Sequence, residues 1–343
     1  MWISLRSAAC CLAMCLAFGG AAVPASAQSA GSDNLKVVTI LLPGQVGPGT
    51  DTLWYGYDLG IFKKHGIDLK IDTPASVAGA SAISLLDSGR YDVGYVDSVT
   101  MLKARQDNGS QLVEFYALYQ SNPICFLVHK SANLRSLDGL KGKTIVFAST
   151  SDNTTLLAML AKHGVTPSTA TIQYAATAAQ FGAFIQGTAD AIATYAYSNQ
   201  PLLRVVHNID TTAFCQADDG FNYQRAGYAA NASFIAANHD LIRSLVAAMG
   251  ETYAAAAANP RAAAQSMVDH FPNLAPPVEV SSATIVAQIP FFSTPNTKGM
   301  PPGKMAVADW AITKQIGVKY LGIRPDFDIA SAWTNVGYDK EKK

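Results

Sequence analysis

Short β-branched runs alternate with helical stretches along this chain, stop, and begin again. That pattern constrains the fold more than any other feature. Lys36 to Leu42 is an apolar run with the length and composition of a buried strand, followed by the glycine- and proline-rich loop Pro43 to Asp51. Thr52 to Gly60 predicts a helix, Ile67 to Ile71 a strand, Ala78 to Ser88 a helix, Tyr91 to Val96 a strand, Val99 to Gln106 a helix and Gln111 to Tyr119 a strand. The series restarts with strands at Ile124 to His129 and Thr144 to Phe147, a helix at Asn153 to His163, and a strand at Thr171 to Tyr174. It ends with a helix at Ala178 to Gln186 and a strand at Ala191 to Tyr195. Regular alternation of this kind implies mainly parallel sheets with helices on both faces, and two series imply two α/β lobes. From Ala226 the texture changes. A returning strand is followed by helices at His239 to Asn259, Arg261 to His270 and Met305 to Ile316. The expected organisation is residues 35–123 in a first lobe, 124–225 in a second, and 226–343 returning to the first.

Residues 1–27 read as an export leader. Arg6 is its positive start, Ala8 to Ala22 its apolar stretch, and Ala25-Ser26-Ala27 its cleavage site, so Gln28 opens the mature chain. The mature protein is then expected in the periplasm. The 25 basic residues lose Arg6 with the leader, leaving 24 against 25 acidic residues. That balance gives no basic footprint for nucleic acid. Cys10, Cys11 and Cys15 leave with the leader; Cys125 and Cys215 remain. In an oxidising compartment they either form a disulfide or lie as two buried thiols, and the sequence leaves both open. Neither has a partner at metal-ligand spacing, and no phosphate-binding G-x-x-x-x-G-K-[ST] loop, H-E-x-x-H or G-x-S-x-G motif occurs. No metal, cofactor or catalytic residue is therefore expected.

Three segments carry a resemblance: DLGIFKKHGIDLKI, SVAGASAISLLDSGRYDVGYVDS and NLRSLDGLKGKTIVFASTSDNTTLLAMLAKHGV, followed by GTADAIATYAYSNQP. In this order they resemble the solute-binding subunits of ABC importers for nitrate, sulfonates, taurine and thiamine pyrimidine precursors. The resemblance spans Lys36 to Asp240, with a small departure at Gly139. It implies a two-lobed periplasmic binding protein of type 2, a ligand held between the lobes, and a hinge of two crossing strands. It also implies a monomer that delivers a small solute to a membrane permease with its own ATPase. The competing readings are an enzyme like the fungal pyrimidine-precursor synthases of this fold, whose cysteine-rich motif is missing here, and a ligand-sensing partner of a membrane receptor.

In open α/β sheets ligands gather at the carboxyl ends of strands, near helix N-termini with unpaired N–H groups. Those loops supply the candidate ligand contacts. Trp54 and Tyr55 follow the first strand, either as an aromatic wall of the cleft or as the buried face of a helix. Gly79 and Ser81 follow the second, where helix capping competes with ligand contact. Asp97 and Ser98 end the third, and Asn122 stands at a crossing. In the second lobe Ser151, Asn153 and Thr154 open a helix as a polar cradle. Tyr195 and Tyr197, read as two positions of one strand, face the same side. None of these loops contains an arginine or lysine, which favours a partly aromatic organic solute over nitrate.

Overall fold

The computed structural model describes residues 35–339 apart from 45, 48, 50, 51, 75 and 150–152. The predicted leader, its Gln28 boundary and Ser151 lie outside the described residues. Among the described residues ten strands form two sheets. The first contains β1 (Lys36–Leu41), β2 (Ile67–Asp72), β3 (Val93–Asp97), β4 (Leu112–Tyr119) and β10 (Ala226–Asn231), in the order β2-β1-β3-β10-β4. The second contains β5 (Ile124–His129), β6 (Thr144–Ala148), β7 (Thr171–Ala175), β8 (Ala191–Tyr195) and β9 (Thr211–Cys215), in the order β7-β6-β8-β5-β9. Each sheet is parallel over its first three strands and carries one antiparallel strand in fourth place: β10 in the first, β5 in the second. Those two are the strands that follow the passes of the chain between sheets. The sheets are therefore mixed, because a strand arriving from the other lobe enters from the opposite end.

Helices cover both faces of both sheets. They are α1 (Thr52–Asp58), α2 (Ile61–Lys64), α3 (Ala80–Asp87), α4 (Ser98–Asn108), α5 (Thr154–Lys162), α6 (Thr177–Ile185), α7 (Ala196–His207), α8 (Ala232–Ala237), α9 (His239–Ala258), α10 (Pro260–His270), α11 (Val278–Gln288) and α12 (Val307–Tyr320). Side chains alternate across the strands, so each sheet feeds two cores. Val38 and Ile40 join Leu53, Phe115 and Tyr228 on one face of the first sheet; Leu41 joins Leu86, Met101 and Trp310 on the other. In the second sheet Phe126 and Phe147 pack with Leu156 and Leu160 on one face, while Leu127 and Val146 pack with Phe184 and Leu203 on the other. This is the two-lobed α/β architecture that the alternation implies.

Several elements depart from the sequence reading. Strand β9 and helices α2, α7 and α11 were not expected, and the returning strand stops at Asn231, where helix α8 takes over. Helix α7 starts directly at Ala196, where the strand β8 stops, and carries Pro201 in its interior, a residue that ordinarily argues against a helix. Tyr197 accordingly lies on that helix, not on the strand with Tyr195. Helix α11 (VEVSSATIVAQ) is rich in β-branched residues, which hold helix propensity low; packing against α10 and α7 overrides it. Cys125 and Cys215 face each other across β5 and β9 and form a disulfide.

Candidate functional site

Among the described residues the backbone passes between the sheets twice, through residues 120–123 and 216–225. The passes are tied together. The Asn122 backbone N–H donates to Asn222 Oδ1 at 2.8 Å and Ser121 Oγ to the same oxygen at 3.2 Å; Asn122 Nδ2 donates to the Phe221 carbonyl at 3.3 Å. Asn122 is fully buried in this joint. It sits at the first crossing, and its polar atoms are used within the protein.

Beside the joint lies a cavity of about 460 Å³ with walls from both lobes. The first lobe contributes Asp97, Thr100 and Lys103; the second contributes Ile124, Asn153, Thr177, Tyr195 and Gln216; the second crossing contributes Tyr223 and Arg225. The cavity sits at the carboxyl ends of β3, β6 and β8, where α4, α5 and α6 begin. Its volume falls in the range of ordinary small-molecule pockets.

Arg225 is the central charge. It follows from the register of β10, whose first residue Ala226 pairs with Asp97 at the end of β3. Its guanidinium reaches Asp97 Oδ2 at 2.7 Å through Nη1 and donates to the Tyr195 hydroxyl at 2.9 Å through Nη2. Asp97 ends β3 and Tyr195 ends β8, which hold the same place in the two sheets, so one side chain bridges equivalent positions of the two lobes. Burial on its own disfavours the arginine's charge, but Asp97 and the neighbouring Tyr195 outweigh it and hold the group charged. Asp97 also caps α4, accepting from the Thr100 N–H at 2.8 Å. The Thr100 hydroxyl donates to the same oxygen at 2.9 Å, so the carboxylate is fixed by three donors. Lys103, one helical turn further along α4, makes no ion pair among the described residues.

The remaining predicted residues have other surroundings. Ser98 is fully buried beneath the cavity, and its Oγ donates to Glu114 Oε2 at 2.7 Å. Gln224 Nε2 donates to the other oxygen of Glu114 at 2.8 Å. Burial pushes the Glu114 carboxyl up to about 8, against the opposing pull of these two hydrogen bonds. A Cβ on Gly227 would overlap that carboxylate and the Tyr116 carbonyl, so glycine makes the room for it. Thr154 opens α5 next to Asn153, whose Nδ2 donates to the Ala148 carbonyl at 3.2 Å. Ser81 and Gly79 sit at the exposed start of α3, where Ser81 Oγ donates to the Ala78 carbonyl at 2.8 Å. This is local capping, away from the cavity walls. Trp54 packs against His270, with ring centroids 4.2 Å apart, and Phe271; Tyr55 packs against α10 and α11 residues. Both aromatics belong to the interface of α1 with the C-terminal helices. Tyr197 stacks on Tyr119 at 5.0 Å and lies edge-on to Tyr195 at 5.8 Å, at the seam between the lobes.

Arg225, Lys103 and Gln216 were not singled out by sequence. Lys103 and Arg225 lie outside the loops that follow parallel strands. The only cue was the basic residue directly before the returning strand AGYAAN.

A family model described as NMT1/THI5 like matches residues 51–263, more than half of the chain. No protein of curated function matches the sequence. Among solved structures, the periplasmic aliphatic sulphonate binding protein SsuA from Escherichia coli is similar with a TM-score of 0.66 and 17% identity, covering 86% of this chain and 91% of that one. The alkanesulfonate-binding protein SsuA from Xanthomonas axonopodis pv. citri, bound to MOPS, gives 0.60 at 17% identity, covering 87% and 98%. The periplasmic nitrate-binding protein NrtA from Synechocystis PCC 6803 gives 0.51 at 13% identity, covering 72% and 69%. At these identities the likeness is one of fold, that of periplasmic binding proteins.

Proposed function

The chain belongs to the NMT1/THI5-like family, and we propose that it is the periplasmic solute-binding component of an ABC importer. In this reading it is exported by its leader and works as a monomer. It captures a small organic solute between the lobes and hands it to a membrane permease driven by a separate ATPase. Residues 35–123 and 226–343 act as one lobe and 124–225 as the other. The observation that carries the reading is the cavity of about 460 Å³ walled from both sheets beside the paired crossings. A ligand that touches both walls favours the closed arrangement by the contacts it gains there. The crossings then serve as the hinge.

The charge of the walls points to an organic anion. Asp97 offsets Arg225, and Lys103 leaves one positive charge in excess among the described lining residues. The starts of α4, α5 and α6 add partial positive charge on the same side. Tyr195, Ile124, Leu156 and Leu321 supply apolar wall, so the solute has an apolar or aromatic body. A sulfonate or carboxylate of this kind suits the volume better than nitrate does. Of the sequence-derived contacts, Asp97, Asn153 and Tyr195 line the cavity and are kept as ligand residues, joined by Lys103 and Arg225.

The test is thermal unfolding of purified residues 28–343 against aliphatic sulfonates, aromatic carboxylates and pyrimidines. A solute present at about 100 times its Kd should add roughly 2.7 kcal/mol of stability. Arg225→Met should remove that gain. If no class raised the melting temperature while one was turned over chemically, the importer reading would be lost to an enzyme.

A further inference from the structure

Gln216 is the first residue after β9 and is fully buried, yet neither its Oε1 nor its Nε2 has a hydrogen-bond partner among the described residues. It lines the cavity together with Arg225, whose Nε is also buried and unpartnered while Nη1 and Nη2 are held by Asp97 and Tyr195. Buried polar atoms are paired in the great majority of cases, so three orphaned ones on a single cavity require an explanation. Gln180, another buried glutamine on these walls, shows the ordinary outcome: its Nε2 donates to the carbonyls of Val146 and Ala193 at 2.8 and 3.1 Å. Gln216 is also held in place. Its backbone carbonyl accepts from the Phe221 N–H at 2.9 Å, and the preceding residue is tied to β5 by the disulfide. It cannot easily swing away to find a partner.

A carboxamide side chain presents one acceptor and one donor side by side. The complementary ligand edge presents a donor and an acceptor side by side. We infer that Gln216 reads an N–H/C=O edge of the solute, as found in a primary carboxamide, a lactam or a ureide, with Arg225 Nε donating to an acceptor next to it. This rests on the solute-binding reading of the cavity and adds a requirement to it. A pure oxyanion offers no donor for Gln216 Oε1, so a simple sulfonate or carboxylate leaves that atom orphaned. Lys103 remains available for an acidic group elsewhere on the solute, so a lactam or ureide that also carries a carboxylate satisfies the most wall groups at once.

The experiment compares probes with and without ring N–H groups. Pyroglutamate and hydantoin-5-acetate are titrated calorimetrically into residues 28–343, beside their N-methyl derivatives (the hydantoin methylated on both ring nitrogens) and propanesulfonate. The N–H forms should bind at least about tenfold more tightly than the N-methyl forms, since a buried acceptor left unmet is costly. Gln216→Leu should weaken the N–H forms by about the same factor and leave the N-methyl forms nearly unchanged, which removes the discrimination. The comparison within the wild-type protein needs no variant and stands even if Gln216→Leu fails to fold. Equal binding of N–H and N-methyl forms overturns the subsite while leaving a solute-binding protein. Binding of propanesulfonate alone does the same. The absence of binding by every probe, together with no stabilisation by any solute class, overturns both the subsite and the reading on which it rests.

Discussion

Strand β4, at the edge of the first sheet, is buried along all eight residues; β9, in the corresponding place of the second, is half-exposed along all five. The sheets share a strand order, so the difference comes from what lies beyond the edge. Residues 291, 303 and 334 each form a backbone hydrogen bond with residues 114–121, and Trp333 bridges to Glu114. The C-terminal segment thus covers an edge that would otherwise offer unpaired backbone groups. Trp310 and Trp333 stack face to face at 5.8 Å behind it. Helix α11 packs on α7 of the second lobe, but among the described residues no segment forms backbone hydrogen bonds along the outer edge of β9. That edge strand is fastened to β5 by the disulfide instead. A small lobe buries a smaller share of its surface and gains more from a covalent tie.

Removing the tie is the most forceful way to break this comparison. The Cys125–Cys215 bond closes a loop with a sequence separation of 90. The double variant Cys125→Ser/Cys215→Ser should lose about 3–5 kcal/mol of stability. Hydrogen exchange should accelerate in β5, β9 and around Gln216 and stay nearly unchanged in β1, β3 and β4. Faster exchange spread evenly over both sheets would mean that the disulfide supports the whole molecule and not one lobe.

The lobes also differ in what they bury. The strands of the second sheet contain no acidic residue, whereas β4 carries Glu114 in the interior. Its folded carboxyl is raised to about 8 from an ordinary value of 4.5. In that interval the folded state keeps a proton that the unfolded chain has lost. Stability therefore falls as pH rises from about 4.5 to about 8 and levels off above, at about 1.4 kcal/mol per unit of pH. Glu114→Gln keeps partners for Ser98 and Gln224 and has no proton to lose. Relative to the wild type it should gain a few kcal/mol between pH 5 and pH 9 in denaturant titrations. An unchanged difference across that range would show that Glu114 is ionised in the fold.

What could be read from sequence follows the same division. The strand–helix series was legible because each unit is short, β-branched in its strands and closed by glycine. Gly89 and Gly187, for example, end their helices at φ of 73° and 74°. The places of Asp97, Asn153 and Tyr195 on the cavity wall were legible because cavities in open α/β sheets form at the carboxyl ends of strands. That of Arg225 was not, because it depends on β10 pairing with β3, more than a hundred residues earlier in the chain. For Trp54 and Tyr55 the sequence left the cleft wall and the buried helix face both open, for a related reason. The helices that cover them, α10 and α11, come some two hundred residues later and carry no local mark of that contact. Helix α7 was hidden by Pro201, and with it the true position of Tyr197.

The finest difference between the lobes lies in a G-x-x-D turn that both contain, Gly89 to Asp92 and Gly187 to Asp190. In each the aspartate stands just before the central strand, and its backbone N–H donates to the carbonyl of Thr39 or Thr144 on the neighbouring strand. The side chains then diverge. Asp92 Oδ2 accepts from both the backbone N–H and the hydroxyl of Thr39, each at 2.7 Å. Asp190 Oδ2 accepts from the Thr144 N–H alone at 2.8 Å, and its other oxygen faces Lys143 at 3.3 Å with the side chain 39% exposed. An exposed ion pair contributes little, and a donor left near water recovers its bond there. Asp92→Ala should therefore cost about 1–3 kcal/mol and Asp190→Ala about 1 kcal/mol or less in urea titrations. A larger loss for Asp190→Ala would mean that the second sheet depends on its turn as much as on its disulfide, and the contrast between a covered lobe and a stapled one would no longer hold.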